Sequence, residues 1–84
     1  MADYSMIPPL TKDAIDGYVA HRYVPGSFVF AVLSNDLKNA VSRADDENAR
    51  VLIDIVRYCY WEIPGPCWGS KERVLAWLSG EVTP

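Results

Sequence analysis

Between residues 46 and 62 apolar side chains recur every three to four positions, and this periodicity constrains the fold more than any other feature. Ala49, Leu52, Ile53, Val56, Cys59, Tyr60 and Ile63 form one stripe, widened on one flank by Val51, Ile55 and Tyr58. Such spacing places side chains on one face of an α-helix and cannot serve a half-buried strand. Asp45 or Asp46 supplies an N-cap, and Pro64, Gly65 and Pro66 stop the helix. The opposite face carries Arg50, Asp54, Arg57 and Trp61.

The same reasoning places three further helices. Thr11 caps a short one at 12–22, with Ile15, Tyr18, Val19 and Arg22 in register and Gly17 weakening it by about 1 kcal/mol. After Pro25 and Gly26, Ser27 caps a helix at 26–43 with Val29, Leu33, Leu37, Ala40, Val41 and Ala44 inward. Residues 28–33 are all apolar. A helix apolar on every side is buried on every side or meets another chain, so Phe28 and Val32 are candidates for a homo-oligomer interface. Ser70 caps a last helix at 71–79, with Val74, Leu75, Leu78 and Trp77 on its inner side and Gly80 as its stop. Residues 1–10, with Pro8 and Pro9, read as an extended arm. The expectation is an all-α fold: an arm over 1–10 and one four-helix domain over 11–84.

An 84-residue chain buries only about 60–65% of its unfolded surface. Half of its residues are hydrophobic, which predicts folding with apolar surface left over for a partner. The net charge is −3 and the eight basic residues are scattered, which argues against direct nucleic-acid binding. No apolar run can span a bilayer, and the start MADYSMIPPL lacks the basic and apolar segments of a secretory signal. The expected location is the cytoplasm, where thiols stay reduced.

Catalytic and metal chemistry finds little to stand on. Cys59 and Cys67 are eight apart and His21 is the single histidine, too few ligands for a zinc site within one chain. Cys59 reads as a core residue, Cys67 as a turn residue near the surface. Asp36 and Asp54 are the only candidates for acid–base work inside the long helices, and a partner such as Arg43 or an interhelical hydrogen bond explains Asp36 more simply than catalysis. The chain is expected to be no enzyme and to use no cofactor or metal.

Two features point to binding instead. Trp61 falls with Arg50, Asp54 and Arg57, and Trp, Tyr and Arg dominate binding hot spots. Either the arm or the last helix covers Trp61, or Arg50, Asp54, Arg57, Tyr58 and Trp61 form a partner surface. In addition, Gly26–Ser27 and Gly69–Ser70 each open a helix, where backbone N–H groups attract anions. With Arg22, Lys71 and Arg73 they form an alternative anion or nucleotide site.

The run PGSFVFAVLSNDLKNAVSRADDEN, followed by IPGPCWGSKERVLAWL, resembles a family of short proteins encoded by tailed bacteriophages and prophages. The shared pattern is PGSFxxAVLSNDLxxAxxRADxxN and then PxxCWGSxExVxxW, covering about residues 7–78. The arm departs from it. The resemblance implies context, not catalytic residues: a small protein in the host bacterial cytoplasm that binds a host component. It implies an anti-defence factor like the anti-CRISPR proteins, occluding a host protein complex. The alternative it implies is an oligomeric sponge for a phosphorylated nucleotide immune signal.

Overall fold

The chain is all-α in its computed structural model, which describes residues 3–81. Residues 1–2 of the expected arm and 82–84 of the expected domain lie outside the described residues. The helices are α1 (Pro9–His21), α2 (Ser27–Leu33), α3 (Leu37–Arg43), α4 (Asp46–Arg50), α5 (Leu52–Glu62) and α6 (Lys71–Leu78), with a 3-10 turn at Gly65–Cys67. Together they fill a slab of 34 × 29 × 17 Å.

Both long helices expected from the sequence are divided. The 26–43 segment breaks at Ser34–Asp36. Asn35 takes a left-handed φ of 59°, a conformation asparagine tolerates better than most residues. Asp36 then caps α3, accepting from the Asn39 backbone N–H and side-chain amide. The 46–62 segment bends at Val51, whose φ of −117° and ψ of 20° separate α4 from α5. Asp45 caps α4 through the Asn48 N–H, and Ser70 caps α6 through the Arg73 N–H. Two other expected caps are displaced. The N-cap of α2 is Gly26, with Ser27 already helical. Helix α1 starts at Pro9, where the missing N–H costs nothing. Thr11 is buried inside it and donates its hydroxyl to Asn48 Oδ1 at 2.7 Å.

Helix α2 packs on α1, α3 and α6. Val29, Ala31, Val32 and Leu33 are buried there, and Phe28 is half-buried against the same core. Val32 is therefore satisfied within the monomer, which corrects its assignment to an oligomer interface, whereas Phe28 is only partly covered.

The ends of the chain meet through a buried network. The Tyr18 hydroxyl donates to the Cys67 carbonyl at 2.6 Å, and Trp77 Nε1 donates to the Tyr18 carbonyl at 2.9 Å. Arg22, left-handed at φ 56°, ends α1; its guanidinium lies 4.2 Å over the Trp77 ring and donates to the Trp77 carbonyl. These contacts offset a backbone conformation that costs a non-glycine residue about 1–2 kcal/mol. The Gly69 N–H donates to the Leu33 carbonyl at 2.8 Å, tying the loop before α6 to the end of α2. Gly69 has φ 111°, where any side chain would be strained.

A second network pins the arm. Tyr4 meets the Tyr58 ring edge-on at 5.0 Å and donates to Glu62 Oε2. Tyr58 donates to Asp16 Oδ1, and Lys12 pairs with Asp16 Oδ2 at 2.8 Å. Burial pushes the Asp16 carboxyl up, but the hydrogen bonds from Lys12 and Tyr58 outweigh it and hold the group below its ordinary value.

Both cysteines are free and buried, so Cys67 is not near the surface as its turn position suggested. Burial pushes Cys59 up to about 12 and Cys67 up to about 11, and raises the Tyr18 phenol. All three raised groups are neutral when folded. Their contribution is fully present below the unfolded values, 9.0 for the thiols and 10.0 for the phenol, and is lost as pH rises through the folded values. The urea midpoint should accordingly fall above about pH 9. Tyr18→Phe should be less stable by about 1 kcal/mol at pH 7 yet show a shallower alkaline decline. Equal slopes from pH 9 to 11 would refute this account of the phenol.

Candidate functional site

Helix α5 is amphipathic, but its buried side is Ile55, Tyr58 and Cys59, with Val51 at the kink and Ile63 beyond the end. The sequence-based stripe put Ile53 and Tyr60 inside; they are 64% and 65% exposed. Ile53, Arg57 and Trp61 follow one another at four-residue steps, with Tyr60 alongside, so they share the outward face. Trp61 is 68% exposed, covered neither by the described residues of the arm nor by α6, and its ring meets Tyr60 edge-on at 4.8 Å.

Of the five residues expected on a partner surface, the structure exposes Arg50, Arg57 and Trp61, half-buries Asp54 and buries Tyr58. Arg50, at the end of α4, and Arg57 are exposed, and Asp54 is half-buried at the margin. Tyr58 is removed from it: 8% exposed, it is committed to Tyr4, Lys12 and Asp16. Tyr60 and Ile53 take its place. Their exposure was missed because α5 carries apolar residues round more than half its circumference, and periodicity alone does not select the phase. Among the described residues the one ion pair is Lys12–Asp16, so Arg50 and Asp54, four positions apart, do not pair.

Beside this face a shallow apolar cleft of about 210 Å³ runs between α3 and α5, bordered by Leu37, Ala40, Ile53, Val56 and Trp68. Leu37, expected in the core, is 68% exposed at its rim, and Val41, one turn further on, is also exposed. The break at Asn35 has rotated α3 away from the register that a continuous helix would have imposed. Tyr60 borders the next concavity with Val56, Trp68 and Arg73. The outward face of α5 and this cleft therefore form one apolar surface edged by guanidinium groups.

The alternative anion site is dispersed. Arg22 is engaged with Trp77. Arg73 donates to the Trp68 carbonyl at 3.3 Å, Gly69 is bonded to Leu33, and the Ser70 hydroxyl serves as a cap. Gly26 precedes a helix of only seven residues. Of the whole set, Ser27 and Lys71 do share one groove, between α2, the α2–α3 junction and the start of α6.

His21 stacks on Tyr23 at 5.1 Å. Among the described residues no three His, Cys, Asp or Glu side chains gather as a metal site, and no helix is long and apolar enough to cross a membrane. Comparison with protein-family models, with curated proteins and with solved structures finds no match to this chain.

Proposed function

We propose that this chain is a non-enzymatic, phage-derived binding protein that inhibits a host defence system by occluding a protein complex in the bacterial cytoplasm. The observation that carries the reading is the outward face of α5. Two adjacent aromatic residues, Tyr60 and Trp61, stand exposed beside Ile53 and Arg57 in a domain with little surface to spare. Aromatic residues and arginine are the side chains that supply most binding energy at protein interfaces. An exposed apolar surface of this kind is otherwise a solubility liability. The resemblance of residues 25–48 and 63–78 to proteins of tailed phages supplies the setting. Both cysteines are committed to the core and raised well above neutral pH, which favours binding over thiol chemistry.

The experiment places a charge in the centre of the face. Expressed in a bacterium with an active CRISPR nuclease, the wild-type chain should restore plating of a targeted phage and co-purify with the nuclease complex. Ile53→Glu should lose both effects while melting within about 3 °C of the wild type, since exposed substitutions usually fall within about 0.5 kcal/mol. Unchanged protection by Ile53→Glu, or protection without any retained complex, would defeat the reading.

A further inference from the structure

We propose that the groove between α2, the α2–α3 junction and the start of α6 binds a small phosphorylated nucleoside, independently of the α5 face. Its volume is about 650 Å³, within the usual range for small-molecule sites, roughly 300–1,000 Å³. Its walls differ in chemistry. Pro25 and Phe30 supply apolar surface, and Phe30 is held in place by packing on the core. Arg43 and Lys71 are exposed and make no ion pair or hydrogen bond within the described residues. Arg43 interacts electrostatically with Asp36 across the groove, and it and Lys71 place two cations on one concavity, an arrangement suited to a phosphate group.

The remaining lining limits what the phosphate is attached to. Asp36 is fixed by Asn39, whose side-chain amide and N–H hold its carboxyl below the ordinary value. A fixed carboxylate repels a bare polyanion and accepts from hydroxyl or ring N–H donors. Ser34, also in the lining, has a buried Oγ with no hydrogen-bond partner among the described residues, whereas buried polar atoms are nearly always satisfied. A ligand with a phosphate, a flat ring whose face can stack and hydroxyl donors matches the two cations, Phe30 with Pro25, and Asp36 in turn. A nucleoside monophosphate has all three.

Isothermal titration of the full chain with adenosine and guanosine monophosphates tests this, with the free nucleosides and inorganic phosphate alongside. At least one monophosphate should bind, and inorganic phosphate and the free nucleosides should bind at least about tenfold more weakly. Arg43→Gln and Lys71→Gln should each weaken the monophosphate about tenfold. Trp61→Ala should bind it as the wild type does, which separates this site from the proposed docking face. No binding at millimolar monophosphate, binding equalled by inorganic phosphate, or unaltered affinity in the R43Q/K71Q double variant would overturn the proposal.

Discussion

Replacing Trp77 by alanine should leave most of the protein unfolded at 37 °C. The indole is 1% exposed and is the largest of the fully buried side chains. Truncating a core tryptophan costs about 3–5 kcal/mol through lost transfer energy and the cavity left behind. Two further losses add to this. The Tyr18 carbonyl loses its indole donor, and Arg22, left-handed at the end of α1, loses the ring beneath its guanidinium. Against a total stability of about 5–15 kcal/mol, that is a large fraction. The midpoint of thermal unfolding, followed by far-ultraviolet circular dichroism, should drop by roughly 15–30 °C. Trp77→Phe retains a ring for Arg22 and removes the N–H, so it should cost less. A fall of under about 5 °C for Trp77→Ala would show that α6 contributes little to the core.

The second large effect concerns Trp61, and it falls on binding rather than on stability. Trp61→Ala removes an indole that is 68% exposed and touches only Tyr60 among ring neighbours. Unfolding should shift by no more than about 0.5 kcal/mol. Affinity for the occluded complex should instead fall by at least about 30-fold, the equivalent of a hot spot of about 2 kcal/mol or more. Arg57→Ala should weaken binding in the same direction, because its guanidinium is exposed beside the indole. Measuring thermal unfolding and affinity on the same preparations separates the two tryptophans. A Trp61 variant that unfolds early but binds normally would transfer this residue from the docking face to the fold.

The registers of α3 and α5 show how far the sequence can be read. The residues that divide the expected 26–43 helix are visible in it: asparagine accepts a left-handed backbone, and the following aspartate is an N-cap. Either also fits a helix interior, and the apolar residues at Leu37 and Val41 made continuation attractive. Once Asn35 turns the chain, those two side chains point to solvent. In α5 the identity of the helix was legible and its rotation was not. Tyr58 and Tyr60 are chemically alike, and their burial depends on Tyr4 and Asp16, which approach from 54 and 42 positions earlier in the chain to engage Tyr58. For Trp61 the sequence placed the residue away from the apolar stripe but left open whether the arm or the last helix covered it; the 68% exposure was decided by the tertiary structure.

Local chemistry, acting within about four residues, was enough for the sequence to determine the all-α class, the stops at Pro25–Gly26, Pro64–Pro66 and Gly80, a cap at Asp45 or Asp46 and another at Ser70, and the position of Trp61 off the apolar stripe. Such bonds form between near neighbours whatever the rest of the chain does. Tertiary structure alone decided which flank of α5 is buried, that Val32 lies in the core, and that Ser27 and Lys71 share one groove. Those outcomes rest on contacts such as Tyr18 to Cys67, Thr11 to Asn48 and Gly69 to Leu33, which bridge 49, 37 and 36 residues. Contacts at that separation form only when the helices between them have packed, so no short window of sequence contains them.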